Sequence, residues 1–189
     1  MSVIASEHLE ESKIQSMENK RIAFAGSMGS GKSYAAKQLK KKYGENTSIL
    51  SLATAIKNIA SGSEWFDCRE GYQMIGTVGR SIDPEAWVKT LSKQITNLPN
   101  NTNIIVDDVR FENEVIALRN LGFKIVYMDT PWDTRLKRIQ ERYKTEPPVF
   151  DEFVEWFTHE SEVQLMDLPP TIFDLVVTDE KGLKKVVDL

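Results

Sequence analysis

The sequence is poor in cysteine. Cys68 is the only one in 189 residues, so no disulfide can form within the chain, and a reducing compartment suits it. No apolar run comes near the roughly 20 residues that a membrane-spanning helix needs. Basic excess is lacking too. Lys and Arg total 24 against 28 Asp and Glu, a net charge of -4, so a nucleic-acid surface is not expected and any phosphate binding must be local to a site. The first residues carry Glu7, Glu10 and Glu11 where a signal peptide would have a basic start and an apolar core. Internal repeats and low-complexity tracts are absent as well. These absences predict a soluble, cytoplasmic protein that acts on a small molecule. The length is enough to bury a full core in one domain.

What is present is a phosphate-binding loop. Gly26-Ser27-Met28-Gly29-Ser30-Gly31-Lys32-Ser33 fits Gly, four residues, then Gly-Lys-Ser/Thr. The apolar run Ile22-Ala23-Phe24-Ala25 enters it as a buried strand would, and 34–39 leaves it with good helix formers and Ala35 and Leu39 four apart. Glycines let successive N–H groups converge on an anion at a helix N-terminus, where the helix dipole also favours negative charge. In this reading Lys32 reaches the β and γ phosphates of ATP and the Ser33 hydroxyl ligates Mg²⁺. A dinucleotide fingerprint is excluded, because Tyr34 stands where the third glycine would be.

The rest of the chain alternates strands and helices. Residues 1–20 are polar and read as an extension, and 21–189 as a single domain. A second strand is expected at 48–52 and a helix at 53–60, stopped by Ser61-Gly62. The stretch 64–79 mixes aromatics, charges and glycines with no sustained period and is expected to be irregular or mobile, a substrate-covering segment. Asp83 is expected to N-cap a helix with Pro84 in its first turn and Trp87, Leu91 and Ile95 as its apolar stripe. Further strands are expected at 104–108, 123–129 and 173–177, and helices at 113–121 and from Thr130-Pro131 to about 143. The Thr145-Glu146-Pro147-Pro148 break follows, then a short amphipathic segment at 151–157, and the chain closes on a helix or strand. This order predicts an α/β protein with a parallel sheet of about five strands covered by helices on both faces.

Ligands of such sheets gather beyond the C-terminal strand ends. There the third strand carries Asp107 and Asp108, and an apolar strand ending in Asp is the Walker B pattern that holds a nucleotide's Mg²⁺. Side-chain alternation allows only one of the two to face the site from a regular strand. Arg110 has the planar fork that recognises phosphate, or else forms a surface ion pair with Glu112 or Glu114. Arg135, Arg138 and Arg142 share a helical face, either as a clamp around a polyphosphate or as a solvated basic face softened by Glu141. Trp87 reads as core or as a stacking platform, and His159 as an ordinary surface histidine, a proton donor or a metal ligand.

With Leu52-Ala53 to Lys57, the block from Gln73 to Arg80 with Asp83-Pro84 and Trp87, Asp107-Asp108-Val109-Arg110-Phe111-Glu112-Asn113-Glu114, and His159-Glu160-Ser161-Glu162, the sequence resembles the phage-type deoxynucleoside monophosphate kinases, a branch of the P-loop kinases. The resemblance runs over about 21–178. It implies a three-layer P-loop kinase fold with an acceptor-binding region at about 53–98 and a small helical lid at about 131–160. It places an acceptor nucleotide among Gln73, Arg80 and Arg110, carries over Lys57, Trp87, His159 and Glu162 as further acceptor contacts, and favours Asp108 over Asp107. It also implies lid arginines at Arg135, Arg138 and Arg142 and an adenine contact near Thr178 and Asp179. The implied activity is transfer of the ATP γ-phosphoryl group to a deoxynucleoside monophosphate with Mg²⁺, using Lys32, Asp108, Arg110, Arg138 and Arg142. Nucleotides are the only partners implied, apart from a homodimer left open, and the host cytoplasm is the setting if the chain is of phage origin. A kinase of another small phosphorylated or hydroxylated metabolite, phosphomevalonate-like, and a nucleotide-dependent switch are the alternatives.

Overall fold

Five short strands, β1 (Arg21–Ala25), β2 (Thr47–Leu50), β3 (Asn103–Val109), β4 (Lys124–Met128) and β5 (Leu175–Val177), pair in parallel in the order β2-β3-β1-β4-β5. The structure is a computed structural model that describes residues 19–143, 156–186 and 189. Nearly all of the expected N-terminal extension, the Pro147-Pro148 break and most of the 151–157 segment lie outside the described residues, as does the middle of the expected lid. The connecting helices among the described residues are α1 (Lys32–Tyr43), α2 (Ala53–Ala60), α3 (Arg69–Ile82), α4 (Ala86–Thr96), α5 (Glu112–Asn120), α6 (Trp132–Tyr143), α7 (Glu160–Val163) and α8 (Glu180–Lys185). The last element among the described residues is therefore a helix.

A strand buried on both faces reads as a continuous apolar run, and β1 shows why. Ile22 and Phe24 pack with Ala35, Ala36 and Leu39 of α1, while Ala23 and Ala25 turn to the other face, where Trp87, Val88 and Leu91 of α4 and Val115 and Leu118 of α5 complete a second cluster. Helices thus cover both faces of the sheet, as the β/α alternation requires. A third, small cluster of Met28, Ile139 and Phe157 seats α6 against the glycine-rich loop.

Three local expectations are corrected. Residues 69–82, expected to belong largely to an irregular segment, form the helix α3. Its glycines are contact residues and not loop residues. A Cβ at Gly79 would lie 2.2 Å from the Trp87 ring and one at Gly71 would lie 2.3 Å from the Phe66 carbonyl, so these glycines serve close packing beside Tyr72 and Ile75, which meet the core. Asp83 does not cap α4, which starts at Ala86. Its carboxylate accepts from Glu85 N (3.0 Å) and its carbonyl from Ala86 N (2.9 Å), closing the turn ahead of the helix.

The third correction bears on the site. Strand β3 continues through both aspartates, and its register against β1 slips by one residue between the pairs Ala23–Val106 and Ala25–Val109. Such a bulge puts an extra residue into one strand and breaks the alternation. Both carboxylates consequently reach the C-terminal end of the sheet.

Candidate active site

The C-terminal ends of β2 to β5 and the loop after β1 open onto one cleft of about 990 Å³. That is the upper end of the ~300–1,000 Å³ usual for small-molecule sites. Residues 28–34 line it after β1, Ser51 to Ala53 after β2, Asp107 to Phe111 at the end of β3, Thr130 and Pro131 after β4, and Thr178 and Asp179 after β5.

The loop half is built by backbone conformation. Gly29 has φ +78°, and a Cβ there would come within 2.8 Å of the Arg135 carbonyl; at Gly26 (φ +133°) it would come within 2.9 Å of the Met128 carbonyl. Only glycine fits either place without strain. Gly31 precedes α1 with φ 96° and no side chain caps the helix, so its first N–H groups face the loop concavity, ready for an anion. Lys32 lies 6% exposed with its ammonium donating to the carbonyls of Gly26 (2.6 Å) and Ser27 (2.8 Å). Burial, and then the charge of Arg110, pull its pKa well below the ordinary lysine value, while Glu162, Asp108 and Asp107 oppose the shift. Burial raises the Asp107 pKa, and the neighbouring Ser33 hydroxyl opposes the rise. Asp108 is spent differently. Its oxygens accept from the Ser51 hydroxyl (2.5 Å), Leu52 N (2.8 Å) and Ala53 N (2.8 Å), so this carboxylate caps α2. The resemblance favoured Asp108 as the metal-facing carboxylate; the structure puts Asp107 beside Ser33.

Beside the loop, three arginines from one helix and one strand end line the cleft. Arg69 opens α3, Arg80 lies on its last turn and Arg110 follows β3. Glu162 of α7, only 4% exposed, accepts from Arg69 (2.7 Å), from Arg110 and from Met28 N (2.5 Å), and its carbonyl accepts from the Ser27 hydroxyl (2.7 Å). Burial alone would raise its pKa, but Arg110 and Arg69 hold it below the usual carboxylate value. Glu162 therefore ties the arginines to the loop while it lines the cleft. The ion pair of Arg110 is with this residue, 52 positions on, and not with Glu112 or Glu114. Arg80 stacks on the Phe111 ring, 3.8 Å from its centroid. Gln73, Tyr72 and Lys57 line the same end. Trp87 lines it as well, but the ring is 7% exposed, packs against Gly79 and donates to the Gly76 carbonyl (3.0 Å), the role of a core residue.

Four expected site residues, Gly26 and Ser27 of the loop with Arg135 and His159, stand apart from the cleft lining. Arg135 is 5% exposed, donates to the Thr130 carbonyl (3.1 Å) and lies over the Trp132 ring, because the first turn of α6 abuts Gly29. Arg138 and Arg142, further along, do line the cleft, and Arg138 donates to the Gly29 carbonyl (3.1 Å). His159 caps α7, its Nδ1 accepting from Ser161 N (3.2 Å), and burial lowers its pKa. Asp179 caps α8 (Gly182 N, 2.7 Å) while remaining, with Thr178, at the cleft rim. Sequence reasoning missed Arg69, Tyr72 and Glu114. Arg69 and Tyr72 lie beside the Gln73 to Arg80 block, and Glu114 closes the Asp107 to Glu114 motif, so their places were signalled but not their roles.

A family model described as an AAA domain matches residues 22–166. Uncharacterized protein ORF77 of Ictalurid herpesvirus 1 (strain Auburn) is 33% identical over 115 residues, 58% of this chain and 50% of that protein. The chain thus spans about half the length of the curated relative it matches. Among solved structures, shikimate kinase from Acinetobacter baumannii in complex with shikimate aligns with a TM-score of 0.54 at 17% identity, covering 91% of this chain and 90% of that one. Shikimate kinase from Bacteroides thetaiotaomicron aligns at 0.53 and 15%, covering 89% and 94%. An uncharacterized protein from Eubacterium ventriosum aligns at 0.53 and 15%, covering 90% and 94%. At such identities the likeness establishes the fold, that of the P-loop kinases. No helix among the described residues is long and apolar enough to cross a membrane.

Proposed function

The chain belongs to the AAA domain family, and from its two-part cleft we propose that it transfers the γ-phosphoryl group of ATP to the 5′-phosphate of a deoxynucleoside monophosphate, giving ADP and the diphosphate. One observation carries this reading: Arg69, Arg80 and Arg110 line the same cleft as the phosphate loop, a concentration of guanidinium that matches an anionic acceptor. Gln73 and Tyr72 beside them offer an amide and a ring for a base.

An acceptor phosphate brings its own nucleophile, since its second ionisation lies at ~6. One of its oxygens attacks the γ-phosphorus in line, the bond to the bridging oxygen breaks, and ADP leaves. No base is needed, which agrees with the state of Asp108, held by three donors. The loop N–H groups and Lys32 hold the triphosphate, Arg138 and Arg142 approach it from α6, and Arg80 with Arg110 aligns the acceptor. Ser33 and Asp107, adjacent hard oxygen donors at the lip of the loop, fit a Mg²⁺ ion held largely by phosphates, and that ion offsets phosphate charge when bound.

A kinase of a hydroxyl-bearing metabolite is the second reading, favoured by the fold it shares with the shikimate kinases. ADP release measured with ATP and Mg²⁺ against deoxy- and ribonucleoside monophosphates, phosphomevalonate and shikimate separates the two. Turnover with a deoxynucleoside monophosphate is expected; turnover with shikimate alone overturns the proposal, and slow hydrolysis indifferent to every acceptor points to a nucleotide-dependent switch.

A further inference from the structure

The mechanism leaves Glu114 unused, although this carboxylate lines the cleft and is only 3% exposed. Its Oε2 accepts from Phe111 N (3.1 Å), as a glutamate in the first turn of a helix commonly does for the capping residue. The second bond is not part of helix capping. The same oxygen accepts from Arg110 N (2.8 Å), one residue before the cap, and so holds the turn from which the Arg110 side chain departs. The Phe111 ring, on the residue whose backbone makes the first bond, carries the Arg80 guanidinium. One buried carboxylate therefore secures the backbone of one acceptor-side arginine and the platform of the other.

A charge is an expensive way to cap a helix here. Burial pushes the Glu114 pKa up to about 7, the backbone N–H of Arg110 opposes, Asp108 of β3 adds to the rise, and Arg80 of α3 and the Phe111 N–H oppose it. Arg80 is itself desolvated and feels both Glu114 and Glu160 of α7, while Glu162 of α7 holds the Arg110 side chain. A neutral amide would satisfy the same N–H groups without the desolvation cost. What the amide could not supply is the field that keeps Arg80 in place.

We propose that Glu114 is a positioning residue for the acceptor, orienting Arg110 through its backbone and Arg80 through the Phe111 ring and through charge, so that both guanidiniums meet the acceptor phosphate in one geometry. The inference rests on reading the Arg80 and Arg110 half of the cleft as the acceptor site.

The test compares the full chain with Glu114→Gln and, should that variant fold poorly, Glu114→Asp. Steady-state kinetics with dAMP, dGMP, dCMP and dTMP, each against ATP and Mg²⁺, are expected to show the acceptor KM raised about tenfold in Glu114→Gln, the loss of a charge-assisted contact, with the ATP KM moved less than about twofold. The pH profile of acceptor kcat/KM should lose the Glu114 ionisation in the variant, while the acceptor's own ionisation is common to both proteins. An unchanged acceptor KM, or equal changes for acceptor and ATP, overturns the proposal. Amide resonances give a readout that needs no turnover: in the unmodified chain the Arg110 and Phe111 N–H signals and the Arg80 Nε–H signal should titrate together near neutral pH. If no monophosphate is phosphorylated, the functional reading fails and these resonances decide alone. Joint titration then upholds the positioning role, and its absence sinks it.

Discussion

The hydroxyl of Ser33, on the phosphate loop, neighbours the carboxylate of Asp107 on the strand beside it and opposes the rise that burial gives the Asp107 pKa. The next residue, Asp108, turns the other way and caps α2 through Ser51, Leu52 and Ala53. Adjacent carboxylates are thus placed differently, one beside the phosphate loop and one capping α2.

That division predicts different outcomes for two conservative variants. Asp107→Asn should lower kcat by about 10²-fold or more with little change in Tm, because it weakens stabilisation of charge in transfer. Asp108→Asn should lower stability by about 1–3 kcal/mol, as expected when a charged acceptor holding several donors is lost. Thermal unfolding and turnover measured on the same samples check both, and an inactive Asp108→Asn with unchanged Tm contradicts the assignment.

Lys32→Ala should remain folded, since the change removes a desolvated charge whose pKa burial already depresses. Phosphoryl transfer should fall by about 10²-fold or more as charge stabilisation at the triphosphate is lost. Circular dichroism alongside ADP release tests the pair of statements; near-normal turnover would refute the donor site.

Arg80→Ala and Arg110→Ala should raise the acceptor KM or lower kcat while ATP binding persists. Isothermal titration with a non-hydrolysable ATP analogue, set beside acceptor kinetics, separates the two substrates. Collapse of ATP affinity in Arg80→Ala would place that arginine on the wrong side of the cleft.

Glycine substitutions should rank by contact. Gly79→Ala drives a methyl into the Trp87 ring and should cost about 1–3 kcal/mol, the usual range for overpacking. Gly62→Ala meets only the Ile59 carbonyl, at 3.9 Å, with no positive φ to strain, and should change stability by less than about 0.5 kcal/mol. Urea unfolding gives the order directly.

The Glu114 carboxylate also links stability to pH. Its folded pKa, about 7, lies above the ordinary 4.5, so between those values the native state holds a proton that the unfolded chain has released, and stability falls as pH rises from about 4.5 to 7. The term has a ceiling of about 3 kcal/mol and is absent from Glu114→Gln. Carboxylates with depressed values, Glu162 and Asp174, act in the opposite sense in both proteins. The stability difference between the two, followed by urea unfolding from pH 5 to 8, should therefore widen in favour of the variant as pH rises.

Legibility followed sequence distance. The loop was readable because a strand, a glycine turn and a helix are contiguous, and each is specified by its own neighbours. Arg69, Glu162 and Met28 were not readable as a unit, since 93 and 134 positions separate their bonded pairs. Helix α3 was misread for a related reason: its glycines look like breakers until Trp87 and Phe66 stand against them. His159 and Arg135 were singled out by residue type, and type does not reveal whether a group caps a helix, lies buried or faces a ligand.

By itself the sequence determined the parallel α/β architecture and the phosphate-binding loop, because period, glycine placement and strand-to-helix order are local properties of the chain. Only the tertiary structure decided which of two adjacent aspartates meets Ser33, which arginines enter the cleft and what Glu162 holds. Those outcomes depend on a one-residue bulge in β3 and on competition among buried charges brought together from distant segments, and neither is encoded within any one stretch of residues.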